Sequence, residues 1–204
     1  MAINLLETIQ KNLNYPPLQK IDPNTQEVTD DRKAPSEHRF SQAAIPAILT
    51  GLYTYSGKDD CALNILSGEP SPDWVTEIFG SDTDLVVQKI ADYSYQPESS
   101  GIHNKVNTIA QEAINVIRRE LKPDASMMEV KDFMSAQISN LLVYLPEALH
   151  MGQVLKEESL DDNTNKMEGP VSSLMHKIGS AFSKPSNEEE VNANKSSGDN
   201  SAAL

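Results

Sequence analysis

The feature that most constrains this chain is an unbroken apolar stripe between about Ser100 and Leu121. Apolar residues recur there every three or four positions, which is the repeat of one helix face and not the alternation of a strand. Polar residues such as Gln111 and Arg118 fall on other faces. The stripe consists of Ile102, Val106, Ile109, Ala110, Ala113, Ile114, Ile117 and Leu121. It predicts a long helix that packs one side against other helices.

The same helical period recurs between Ile3 and Leu155, and no window shows convincing alternation of period two. The residues 15–35 are rich in Pro, Asp and Asn, which indicates an extended loop. We therefore predict an all-α, multi-helix bundle domain over 1–155, with a long N-terminal loop at 15–35.

Local signals predict where individual helices begin and end. Ser126 followed by Glu129 indicates a capping box, in which each side chain satisfies an amide at the helix start. Ser71, followed by a proline, indicates another helix start with a capping hydroxyl. Pro46 lies inside a helical pattern, so we expect a kink or a restart near Ile45.

The character of the sequence changes after Leu155. The residues 156–204 contain few apolar side chains and many Ser, Asn, Lys and Glu, which predicts a largely disordered acidic tail. One apolar pattern within it predicts a short amphipathic helix at about 170–184. Its apolar face comprises the candidate partner-binding residues Val171, Leu174, Met175, Ile178 and Phe182.

The charge of the chain limits its partners. Thirty acidic and 17 basic side chains give a formal net charge of -13. Nucleic-acid binding depends on Lys and Arg that neutralise phosphates, so we predict no nucleic-acid partner. No apolar run approaches 18 residues, which predicts no transmembrane segment. A single cysteine and the lack of a secretory signal pattern predict a cytoplasmic protein.

Patterns typical of metal binding are incomplete. Glu147 and His150 have the Glu-x-x-His spacing of helical di-metal sites, but no second copy exists, so we predict a pair on a helix surface. The run 161–165 resembles the opening of a calcium loop, yet Lys166 and Ser172 replace the required Gly and Glu. We predict no cofactor, no metal site and no catalytic residue.

Several residues that could form sites are better explained by packing. Cys61 follows two aspartates, whose charge disfavours a reactive thiolate. It is therefore predicted to lie on a short helix and to face the protein core. Trp74 and Phe79 share a helix face with other apolar residues, which predicts core packing. Packing in the core or at a helix cap is predicted for Met127, Met128 and Met134.

Three short motifs carry a resemblance to a known family. They are the helix Ala44–Leu52 with its Ile-Pro step, the small-residue helix Ala62–Gly68, and Ile78-Phe79-Gly80 followed by Val86, Ile90 and Ala91. Over about 40–121 the chain resembles the YidB-like family of small helical bacterial proteins of uncharacterised function. The resemblance implies a bacterial helical bundle and no known catalytic residue.

These observations predict a non-enzymatic protein that acts through protein–protein contacts in a regulatory or scaffolding role. The candidate contact is the helix at 170–184, docking on a partner or on the protein's own core. One alternative is a helical enzyme that depends on a small ligand or metal, with a site assembled from distant residues. Another is an envelope-associated or stress-related protein whose 170–184 helix touches lipid.

Overall fold

The helices predicted from apolar periodicity are present. A computed structural model describes residues 3–22, 28, 33–67, 73–97, 101–157 and 160, and every regular element in these ranges is helical, which confirms the all-α class. None of these described helices is both long and apolar enough to span a membrane. They are α1 (Leu5–Asn12), α2 (Ser36–Ser56), α3 (Asp59–Leu66), α4 (Trp74–Phe79), α5 (Thr83–Ser94), α6 (Ile102–Glu120), α7 (Met127–Leu142) and α8 (Met151–Leu155).

The longest helix, α2, runs through the centre of the fold. Every residue from Phe40 to Leu52 is buried, and this stretch carries no charged side chain. A helix that is apolar on all sides is stable only when other elements enclose it. Accordingly, α2 contacts each of the other seven helices of the described chain.

Pro46 does not divide α2. The helix is continuous from Ser36 to Ser56, so the restart expected near Ile45 does not occur. Proline removes one amide hydrogen bond to the preceding turn. The surrounding helices hold α2 together across this missing bond, and Thr50 Oγ1 donates a hydrogen bond to the Pro46 carbonyl oxygen at 2.8 Å.

The apolar stripe of α6 lies where its periodicity predicts. From Ile102 to Ile117 all members of the stripe are fully buried, and Leu121 packs partly buried at its end. The capping box of α7 is also confirmed, since Ser126 and Glu129 each accept a hydrogen bond from the other's backbone amide. Sequence periodicity therefore located both helices and their buried faces.

The start of α4 differs from the prediction. Asp73, and not Ser71, is the N-cap residue, and its Oδ1 accepts a hydrogen bond from the Thr76 amide at 3.2 Å. The Trp74 amide donates to Asn107 Oδ1 of α6 at 2.8 Å. The helix thus begins two residues later than the local signal indicated, and its first amide is satisfied by a side chain distant in sequence.

Two buried glutamines fix the N-terminal part of the chain to the bundle. Gln42 accepts a hydrogen bond from the Gln19 amide at 2.8 Å and donates to the Gln19 and Tyr144 carbonyls at 2.9 and 2.8 Å. Gln137 accepts from the Leu5 amide at 3.0 Å and donates to the Ile3 carbonyl at 3.1 Å. The loop after α1 and the start of α1 are thereby held against α2 and α7.

The last described residues remain packed on the bundle. Val154 and Leu160 are buried, and the Glu157 amide donates to the Gly152 carbonyl at 2.8 Å. The predicted disordered tail lies almost wholly, and the predicted helix at 170–184 wholly, outside the described residues.

Candidate interaction surface

A polar cleft lies where the C-terminal end of α2 meets α7 and the residues that follow α8. Its volume is about 270 Å³, just below the roughly 300–1,000 Å³ typical of sites that enclose a drug-sized ligand. The lining residues are Tyr53, Thr54, Ser56, Gly57, Lys131, Ser135 and Glu157. The cleft marks the place where three elements meet beside the exit of the chain toward 161–204.

Polar contacts link residues of the cleft to one another and to α3. Lys131 Nζ forms an ion pair with the Asp59 carboxylate of α3, and Thr54 Oγ1 lies 3.5 Å from Glu157 Oε2. Burial, and secondly the negative charge of Glu157, raises the pKa of the Tyr53 hydroxyl above its ordinary value. Tyr53 is therefore a neutral hydrogen-bonding group at physiological pH.

The cleft also reveals how α3 and α7 are oriented. Lys131 of α7 pairs with Asp59, the first residue of α3. Ser135, one turn further along α7, lines the cleft together with Gly57, which precedes α3. In addition, Arg118 near the end of α6, the helix before α7, donates hydrogen bonds to the Asn64 and Ile65 carbonyls at the end of α3. These contacts together indicate an antiparallel arrangement of α3 and α7.

Large apolar side chains remain exposed next to this contact. Leu63 is 49% exposed, Met127 37% and Met128 59%. Leu63 lies four residues, or one helical turn, after Asp59, and Met127 lies one turn before Lys131. Because residues four apart share a helix face, each apolar side chain lies on the face that carries the ion pair. The antiparallel packing brings these turns side by side. We call Leu63, Met127 and Met128 the α3–α7 patch.

Sequence reasoning missed this patch. Met134 is buried, as predicted, but Met127 and Met128 are exposed, which excludes core packing for them and leaves the predicted alternative of packing at the helix cap. Both follow the cap of α7 directly, and only the arrangement of neighbouring helices decides whether such residues are covered. The predicted partner-binding residues, from Val171 to Phe182, lie outside the described chain.

Cys61 has the structural setting that its sequence predicted. It is partly buried and packs against the core. The nearby Tyr55 hydroxyl accepts a hydrogen bond from Asn64 Nδ2 at 2.8 Å. Burial raises the pKa of Tyr55, with a further contribution from Cys61. These contacts join the end of α2 to α3.

An aspartate–histidine pair lies at the start of α4. Asp73 Oδ2 is 3.0 Å from His103 Nε2 of α6 and accepts a hydrogen bond from Thr76 Oγ1 at 2.6 Å. Asp73 is at the same time the N-cap of α4. All three side chains thus serve the attachment of α4 to α6.

Glu147 and His150 do not share a helix face. Glu147 begins a 3₁₀ turn that ends at Leu149, and His150 follows with a positive φ of 47°. The predicted pair on a helix surface is therefore wrong, because the chain turns between the two residues. Among the described residues, no three His, Cys, Asp or Glu side chains are grouped so that they could hold a metal ion. The run 161–165 lies outside them.

Comparisons with known proteins did not identify a relative of this chain. No protein-family model matches the chain, and no curated protein or solved structure shows a significant match.

Proposed function

We propose that this chain is a helical bundle protein that acts through protein–protein contacts, made by the apolar face of the segment 170–184. The observation that carries the proposal is the placement of this segment. Its apolar residues follow a body that is packed as far as Leu160, which is only 2% exposed. A binding segment tethered to a folded domain is a common mode of helix-in-groove recognition.

The charge of the segment supports a protein partner. Residues 170–185 contain Lys177 and Lys184 but no Asp or Glu, whereas the whole chain carries a net charge of -13. Two lysines give little attraction to anionic lipid, at about 1 kcal/mol for each residue near the surface. An apolar stripe on a segment with two lysines and no acidic residue suits an apolar groove on an acidic protein surface.

Paired substitutions within the segment test the proposal. Leu174→Asp with Ile178→Asp places two charges on the apolar face, and Ser173→Asp with Ser180→Asp places the same charges on the opposite face of the helical pattern. Full-length baits of each kind are used to capture proteins from the cells that express the chain. The captured protein is then purified, and its affinity for each bait is measured by calorimetry.

Binding should weaken at least tenfold in the L174D/I178D variant and stay unchanged in the S173D/S180D variant. Equal capture by both variants would overturn the proposal. Flotation with anionic and neutral vesicles provides the membrane comparison. Flotation lost only in L174D/I178D, without a captured protein, would instead identify lipid as the partner.

The proposed setting is the cytoplasm of a bacterial cell. The resemblance to the YidB-like family supports the bacterial assignment, and the single cysteine supports a reducing compartment. Cell fractionation with an antibody to the chain tests this setting, and recovery in the envelope fraction would contradict it.

A further inference from the structure

We infer that the segment 170–184 of this chain docks on the chain's own α3–α7 patch, and that this docking competes with partner binding. The docking rests on the geometry of the patch. Only its regulatory consequence depends on the proposed function. The occupant is thus the chain itself, held in cis.

The exit point of the chain favours this occupant. Glu157 lines the polar cleft together with Lys131, and Met127 lies one turn from Lys131 on α7. Ten residues separate Leu160 from Val171, and extended chain spans up to about 3.3–3.6 Å per residue, or roughly 35 Å in all. One helical turn is about 5.4 Å. The linker is therefore long enough to bring the segment onto the patch.

The chemistry of the two surfaces matches. Leu63, Met127 and Met128 offer flexible apolar side chains, which adapt to the Leu, Met, Ile and Phe of the segment. Two exposed carboxylates border the patch, since Asp60 lies three residues before Leu63 and Asp132 four residues after Met128. They complement the net positive charge of the segment, which has two lysines and no acidic residue. Lys131, one turn from Met127, is paired with Asp59.

Docking in cis makes the segment less available to a partner. A tethered segment has a high effective concentration at the patch, so even weak contacts keep it bound for part of the time. A partner must bind the undocked state, and its apparent affinity falls by the fraction of molecules in that state. The patch is then a regulator of the proposed binding segment.

Methionine methyl groups give a direct test in the full-length chain. Its seven methionines include Met127 and Met128 in the patch, Met175 in the segment, and the buried Met134 and Met151. The chain is labelled with ¹³C at the methionine methyl groups, and spectra are recorded for wild type, L174D/I178D and S173D/S180D. A dilution series separates docking in cis from docking on a second copy.

The expected result is a nuclear Overhauser contact between the Met175 methyl and that of Met127 or Met128. The Met127 and Met128 signals should shift in L174D/I178D but not in S173D/S180D, while Met134 and Met151 stay in place. Identical Met127 and Met128 signals in all three proteins would overturn the inference. Shifts that vanish on dilution would also overturn it, in favour of a second copy.

A patch variant connects the inference to the proposed function. Met127→Asp with Met128→Asp places acidic residues in the first turn of α7, where they favour the helix. If the docking regulates binding, this variant should bind the captured partner several-fold more tightly than wild type. Unchanged affinity refutes the competition. Methyl contacts without any captured partner leave the docking established and refute the proposed function alone.

Discussion

Gly51 of α2 and Phe79 of α4 approach so closely that no side chain fits between them. A Cβ atom on Gly51 would lie 2.3 Å from Phe79 Cζ and 3.0 Å from Ile78 Cγ2. The contact lies in the core, where Gly51 and both neighbours are buried. The glycine therefore sets how near the central helix and α4 can come.

Gly51→Ala should destabilise the protein by about 1–3 kcal/mol, the usual cost of overpacking a core. In an exposed helix the same change stabilises by up to about 1 kcal/mol, so the expected sign is reversed here. Chemical denaturation measures the effect. Gly57→Ala is the control, since its nearest new contact is the Thr54 carbonyl oxygen at 3.2 Å. Recovery of stability by Phe79→Leu in the Gly51→Ala background identifies the ring as the cause, and additive effects would contradict it.

Gln42→Leu should release the loop that follows α1. The substitution keeps the side chain large but leaves the amide and carbonyl of Gln19 and the carbonyl of Tyr144 without their partner. Gln19 is exposed and the three hydrogen bonds are partly buried, so each lost bond should cost its net value of about 0.5–1.5 kcal/mol. Hydrogen exchange should show faster exchange of the Gln19 amide. Gln111→Leu is the control, because among the described residues its side chain bonds only to Asn115 one turn away. Equal effects of the two substitutions would refute the anchoring role of Gln42.

What the sequence could predict depends on how local the cause is. The buried face of α6 follows from its own periodicity, and the cap of α7 from Ser126 and Glu129, so both were predictable. The role of Gln42 depends on a backbone 102 residues away, at Tyr144, and nothing near Gln42 signals it. The exposure of Met128 likewise depends on residues distant in sequence, because only the placement of other helices decides whether it is covered. The α3–α7 patch exists because of how two helices dock, which single-sequence patterns do not encode.

The stability contributed by Asp73 should depend on pH. Burial disfavours its charge, but hydrogen bonds from Thr76 and from His103 outweigh this effect and lower the pKa of Asp73. A carboxyl with a lowered pKa stabilises the fold above its unfolded pKa of about 3.9, and this contribution is lost as pH falls through the folded value. The substitution Asp73→Asn removes the charge while Asn still caps α4.

The stability difference between wild type and Asp73→Asn should therefore be full at pH 7 and shrink in strong acid. Urea unfolding at pH 7, 5, 4 and 3 gives this difference directly. Other carboxylates affect both proteins alike and cancel in the comparison. A difference that stays constant across the whole range would show that the charge of Asp73 does not stabilise the folded state.

Leu160→Ala should destabilise the bundle although the residue lies beyond the last helix. The side chain is 2% exposed, and truncating a buried leucine costs about 2–5 kcal/mol. Leu85→Ala is the matched control, because Leu85 is 47% exposed. For a chain of this size, thermal melting should fall by roughly 2–4 °C for each kcal/mol lost.

Two truncations extend the same test to the chain end. Removing residues 158–204 deletes Leu160 and should lower the melting temperature by about as much as Leu160→Ala. Removing residues 165–204 keeps it and should lower the melting temperature only slightly, because the described bundle is complete without that segment and the inferred docking occupies the patch for only part of the time. A large loss in the second truncation would show that residues beyond 164 stabilise the bundle. That result would strengthen docking in cis on the α3–α7 patch, provided that L174D/I178D shows the same loss.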